Sequence, residues 1–169
     1  MAIADTATLM PTGLQPGNSL VLLPGGEALF AALVEAMDAA QVSIHLETYI
    51  FDFQGAPLAV AEAMERAARR GTEVRLVVDG VGTGPPPPAW QERFDAAGVQ
   101  CRVYAPLGRL GLLLPSRWRR LHRKLCVVDG TIGFCGGINL IDDYSDPRDG
   151  VLGFPRFDFA VCCTGPLVE

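Results

Sequence analysis

Strand-like and helix-like runs alternate through the first hundred residues, and that alternation restricts the fold more than any other feature of the chain. Ser19 to Leu23 reads as a short strand, and Pro24-Gly25-Gly26 leads into a helix to about Ala40 with Leu29, Phe30, Leu33, Val34 and Met37 on one stripe. Val42 to Phe51 is the next strand. Pro57 to about Arg70 is a second helix, opened by proline and closed by Gly71. Val74 to Val78 is an apolar strand ending at Asp79-Gly80. A Gly/Pro segment through Pro88 then leads to a third helix, Ala89 to about Ala97, and to the strand Val99 to Tyr104. Strands joined through helices of ten or more residues are βαβ units, because a parallel partner is reached only by such a crossover. The expected class is α/β.

The remainder changes character. Lys124 to Val128, Asp129-Gly130 and Thr131 to Cys135 have the pattern of a hairpin with a tight Asp-Gly turn. A polar loop follows from Leu140 to Pro155, then a last strand from Phe157 to Cys163, so the sheet is expected to be mixed. Residues 1–17 read as a loose leader and 18–169 as one domain. At 169 residues and 49 % hydrophobic, the chain can bury a sizeable core and is too apolar for disorder. It stops at Gly165-Pro166-Leu167-Val168-Glu169, where another helix can begin, so the end reads as cut.

A formal net charge of −5 argues against a chain that lives on nucleic acid, since such proteins present a basic face to phosphates. Arg117, Arg119, Arg120, Arg123 and Lys124 still make a local positive patch. The cysteines, Cys101, Cys126, Cys135, Cys162 and Cys163, have no CxxC spacing, and all but Cys163 sit singly among apolar residues, the pattern of buried reduced thiols. The first residues lack the basic start and apolar stretch of a secretion signal, and no run reaches the roughly 18 apolar residues of a membrane span. The expectation is a cytoplasmic protein, soluble or peripheral.

The chemistry is carried by His122-Arg-Lys124, four residues, Asp129, six residues, then Gly136-Gly137-Ile-Asn139. At average residue frequencies those fixed positions arise by chance on the order of once in a million chains of this length. Residues two apart on a strand share a face, so His122 and Lys124 can address one ligand. An imidazole can attack phosphorus while an ammonium neutralises the charge building on the equatorial oxygens. Asn139 and the backbone around Gly137 can complete the cradle, glycine allowing close approach. The scheme needs no metal and no cofactor.

This segment resembles the HKD motif of the phospholipase D superfamily, and within it the bacterial cardiolipin synthases. Supporting matches are Ser43-Ile-His-Leu-Glu47-Thr-Tyr49-Ile-Phe51, Arg119-Arg120-Leu-His122-Arg-Lys124, and Phe157-Asp158-Phe-Ala-Val followed by Gly165-Pro-Leu-Val. The resemblance implies a mixed sheet flanked by helices, one repeat of the usual two, with the chain as an amino-terminal half. It implies His122 as nucleophile or acid through a phosphohistidine, Lys124 and Asn139 as phosphate ligands, and Asp158 as the carboxylate that orients the imidazole. Each has a plainer alternative. Asp158 between two phenylalanines can cap or pair at a strand edge. Asp129, an odd offset from His122, can serve the motif's chemistry or form the hairpin turn or a structural ion pair. Glu47, sharing a strand face with His45 and Tyr49, fits substrate contact or a buried hydrogen-bonded network. Asp79, ending a parallel strand where α/β sheets bind ligands, is a weaker candidate.

Leu107 to Pro115 is apolar and runs into Arg117-Trp118-Arg119-Arg120, which fits either shallow insertion into an anionic bilayer or packing on the domain's own core. The resemblance implies phosphatidyl transfer between anionic phospholipids such as phosphatidylglycerol, at the cytoplasmic face of the inner membrane. Partners would be the membrane surface and a second HKD half, in cis or in trans as a homodimer, and not nucleic acid. The alternatives are a homodimeric single-motif nuclease or phosphodiesterase, and a phosphate-binding scaffold without catalysis. Gly137, where the single-motif nucleases usually carry Ser, counts against the first.

Overall fold

The structure, a computed structural model, describes residues 16–106, 119–146 and 150–168. The leader up to residue 15 and the apolar segment 107–118 lie outside them. The described elements run in order β1 (Ser19–Pro24), α1 (Gly25–Ala39), β2 (Ser43–Thr48), α2 (Leu58–Arg69), β3 (Glu73–Asp79), α3 (Pro88–Ala97) and β4 (Gln100–Tyr104). Then come β5 (Leu125–Val128), β6 (Ile132–Gly136), the small hairpin β7 (Ser145–Asp146) and β8 (Gly150–Val151), β9 (Phe159–Thr164) and a 3-10 turn, Pro166–Val168. The seven-stranded sheet has the order β1-β9-β6-β5-β2-β3-β4. The β2-β3-β4 strands are parallel and the other pairs antiparallel, so the expected mixed α/β sheet is present.

The helices cover one face. Ile44 and Leu46 of β2, Val74, Leu76 and Val78 of β3, Cys126 and Val128 of β5 and Phe134 of β6 are buried there. They pack with Leu29, Phe30, Leu33 and Met37 of α1, Val60 and Met64 of α2, and Trp90 and Phe94 of α3. The strand pleat sends the intervening side chains to the other face. Glu47, Leu125, Cys135 and Val161 lie in one row across it, His45, Val127, Gly133 and Cys163 in the next. Cys135 is therefore exposed, unlike the buried thiol expected for it; Cys126 and Cys163 are buried, and Cys101 and Cys162 are half-buried. Sequence periodicity marks two faces without telling which one the helices leave open.

The β5-β6 hairpin has the expected turn. Thr131 N donates to Val128 O at 3.0 Å, with Asp129 and Gly130 both at positive φ, +51° and +65°, as a type I′ turn requires. Two boundaries differ from expectation. The second strand stops at Thr48 because the next residues pair with loops: Ile50 N donates to Asn139 Oδ1 and Phe51 N to Thr83 Oγ1. The last strand begins at Phe159, leaving Phe157 91 % exposed.

Candidate active site

Register places the motif at one end of the sheet. Leu125 is opposite both Glu47 and Cys135, and Gly136 is opposite Ala160, so the C-terminal ends of β2 and β6 meet the N-terminal ends of β5 and β9. His122 lies three residues before β5, in backbone without strand pairing. Strand alternation therefore does not cause its pairing with Lys124, yet the two converge: Lys124 Nζ stands 3.2 Å from His122 Nε2 and 3.4 Å from the His122 carbonyl oxygen. An ammonium can only donate, so a hydrogen bond between the two requires Nε2 as acceptor and the Nδ1–H tautomer of the ring. Tyr49, just past β2, supplies a wall, its ring centroid 5.1 Å from that of His122 and 5.6 Å from Lys124 Nζ. Burial pushes the Lys124 ammonium below its ordinary value, and the charge of Asp158 partly restores it.

Asp158 is half-buried at the entrance to β9 and accepts from the Phe159 N–H at 2.7 Å. Among the described residues no hydrogen bond joins it to His122; its tie to the motif is the charge felt by Lys124. It also lies against Gly137, where a Cβ would stand 3.0 Å from the Asp158 carboxyl carbon and closer still to both oxygens. Glycine is required at 137 for that approach. Asn139 Oδ1 is occupied by Ile50 N at 3.2 Å, leaving its amide nitrogen as the part of the side chain able to donate. Glu47 Oε2, shielded from solvent, is 3.3 Å from the Arg123 guanidinium, an ion pair without hydrogen-bond geometry. Glu47 shares the wall of a small cavity with Lys124, Cys135 and Gly136.

Asp129 lies at the other end of the sheet. Its carboxylate accepts from Gln41 N at 2.9 Å and from Val42 N and Ser43 N at 2.8 Å. Burial raises its pKa, and these three bonds together outweigh that and hold it below the ordinary carboxylate value. The four residues of β5 separate it from Lys124, five steps along the chain and on the order of 17 Å. Its hydrogen bonds join the hairpin turn to the start of β2.

Two contributors were hard to read from sequence. Asp79, fully buried, accepts from Leu121 N at 2.8 Å, one residue before His122. Thr83 Oγ1 donates to the Tyr49 carbonyl at 2.9 Å, and Gly82 packs so tightly on Tyr49 that a Cβ would come within 2.9 Å of its ring. The Asp79-Gly-x-Gly turn was the one available signal.

Known proteins resemble the chain both in sequence and in fold. Residues 33–147 match the family described as cardiolipin synthase, PLD-like domain. The chain is 34 % identical over 161 residues to cardiolipin synthase B of Shigella flexneri, covering 95 % of this chain and 38 % of that protein. It is 36 % identical over 139 residues to the cardiolipin synthase of Geobacillus thermodenitrificans, covering 82 % and 27 %. It thus spans well under half the length of these relatives. In fold it resembles the phospholipase D family member Nuc from Salmonella typhimurium, with TM-score 0.60 and 19 % identity over 90 % of this chain and 88 % of that one. It also resembles NucT from Helicobacter pylori, with TM-score 0.59 and 16 % identity over 88 % and 85 %. With the matching family model spanning His122, Lys124 and Asn139, this chain belongs to the cardiolipin synthase family of phospholipase D-like domains.

Proposed function

We infer that this chain is the amino-terminal catalytic half of a phosphatidyltransferase of the cardiolipin synthase type. The observation that carries the reading is the convergence of His122 Nε2 and Lys124 Nζ, 3.2 Å apart, beside the Gly137–Asp158 contact. In the scheme, Nε2 attacks the phosphorus of an anionic phospholipid such as phosphatidylglycerol. The bond from phosphorus to the departing alcohol breaks, and a phosphatidyl group remains on the ring. The hydroxyl of a second lipid then attacks phosphorus, giving up its proton as the P–N bond breaks and leaving cardiolipin. Lys124 and the Asn139 amide carry the developing charge on the non-bridging oxygens, and the Asp158 carboxylate stabilises the cationic ring. Glu47, through Arg123, lines the approach. A second HKD half supplies the acid that protonates the departing alcohol. No metal takes part.

A peripheral position on the cytoplasmic face of the inner membrane suits the reading. Among the described residues no helix is long and apolar enough to cross a membrane, while Phe157 stands exposed next to Asp158 and Phe154 is exposed in the loop before it. The nuclease reading draws on the likeness to Nuc, a chain of similar extent; net charge −5 weighs against it. Vesicles of radiolabelled phosphatidylglycerol and a supercoiled plasmid separate the two. The monomeric chain is expected to turn over lipid poorly or not at all; where it dimerises, labelled cardiolipin is expected, and its loss in a folded His122→Ala variant. Plasmid nicking without lipid turnover would sink the lipid reading, and undiminished transfer by His122→Ala would sink the assignment of the nucleophile.

A further inference from the structure

Residues 119–124 carry the two principal groups of the site and take no part in strand pairing, so something other than strand pairing must set where His122 stands. Among the described residues, a buried carboxylate anchors this stretch. Asp79, at the end of β3, has no solvent exposure. Its Oδ2 accepts from Leu121 N at 2.8 Å, and its Oδ1 accepts from Val81 N at 2.8 Å and Gly82 N at 3.1 Å, with the Arg120 guanidinium 3.3 Å away. A buried carboxylate is tolerated only when paired and hydrogen-bonded. Here the donors come from the carboxylate's own turn, Val81 and Gly82, and from Arg120 and Leu121, which follow Asp79 by 41 and 42 residues, so satisfying the charge fixes one segment against the other.

The same turn works on the opposite side of the imidazole. The Asp79 carbonyl accepts from Thr83 N and Gly84 N at 3.0 and 2.9 Å, closing the turn. Gly82 and Thr83 then seat Tyr49, whose ring lies against His122. The backbone entering His122 and the wall beside its ring therefore share one origin.

We propose that Asp79 is the positioning residue for His122, acting through the Leu121 amide and, by way of its own turn, through Tyr49. It touches no substrate. The proposal rests on the phosphodiester reading only in saying what the positioning is for, because a catalytic group must be held to within a fraction of an ångström of its productive place.

The chain's two histidines make the test direct, because His45, exposed on the open sheet face, is an internal reference. In the ¹⁵N-histidine-labelled 169-residue chain, Asp79→Asn is expected to move or split the His122 ring signals and leave those of His45 in place. A merely structural role would lower thermal stability without that selectivity. In a phosphodiester assay the same variant should lose about tenfold or more in kcat with KM changed less than about twofold, as for a group that sets geometry rather than binding. Unmoved His122 signals in folded Asp79→Asn overturn the proposal. Should that variant not fold, the wild-type Leu121 amide decides: held by a buried carboxylate it exchanges about 100-fold or more slowly than an unstructured amide, and exchange at the unstructured rate overturns the proposal. Absence of turnover in wild-type protein that sedimentation shows to be dimeric would overturn the functional reading alone, since the ring spectra and the exchange rate judge Asp79 independently of activity.

Discussion

The Lys124 ammonium sits between two opposed influences: burial lowers its pKa, and the neighbouring Asp158 charge holds it up. Removing that charge in Asp158→Asn leaves burial unopposed, so Lys124 loses its proton at a lower pH. If a charged Lys124 is needed for turnover, the alkaline limb of the pH–rate profile shifts to lower pH, and an unmoved limb would show that Asp158 acts otherwise. The two glycines of the motif separate chemistry from folding. At Gly136 a Cβ would meet the Ala160 Cα and the Phe159 carbonyl at 2.6 Å, both backbone, so Gly136→Ala must pry β6 from β9 and should cost about 1–3 kcal/mol of stability. At Gly137 the obstacle is the Asp158 side chain, which can swing aside; Gly137→Ala should stay folded and lose turnover. Melting curves and rates on the pair check the contrast. The His122–Lys124 partnership was legible because the two residues lie close in sequence. Asp79 was legible only as a carboxylate at a strand end, not as the partner of Leu121, since that bond spans 42 residues and exists only once β3 and the segment before β5 are side by side.

Elements were legible wherever hydrophobic periodicity and sheet pairing agree, as in α1, β3 and the β5-β6 hairpin. They were misread where backbone partners change. The apolar pattern runs on past Thr48, but Ile50 and Phe51 give their N–H groups to Asn139 and Thr83 instead of a neighbouring strand, so β2 ends early. The Asp-Gly turn was legible as a turn, whereas its grip on the α1-β2 connection was not. That grip has a pH signature. The folded-state pKa of Asp129 lies below the ordinary value, so its stabilisation is fully present above the unfolded pKa of about 3.9 and is lost as pH falls through the folded value. Asp129→Asn, which keeps a side chain that tolerates the positive φ, should cost about 1–2 kcal/mol at pH 7. For a domain of this size that is roughly 2–8 °C in melting temperature. The gap between variant and wild type should narrow as the pH is taken below about 4, and a pH-independent gap would mean that the carboxylate charge contributes nothing there.

At the scale of the molecule, the sheet is covered on one face by α1, α2 and α3, and the site opens at one end of it. This arrangement supplies a nucleophile once. Transfer through a phosphohistidine also needs an acid for the departing oxygen, and in an in-line displacement that acid stands across the phosphorus from the attacking nitrogen, where His122 cannot also be. The chain's other histidine, His45, is on the exposed sheet face, paired in register with Val127 and Arg75 and away from the Lys124 end. On the mechanism proposed above, a complete site needs a group from a second half, which for the 169-residue chain by itself would be another copy. Specific activity toward phosphatidylglycerol vesicles should then rise with protein concentration over the range in which sedimentation shows monomer giving way to dimer. It should fall toward zero where only monomer is present. Concentration-independent activity in strictly monomeric protein would mean that one imidazole, helped by Lys124, performs both proton and phosphorus chemistry, and the two-half account of this site would fail with it.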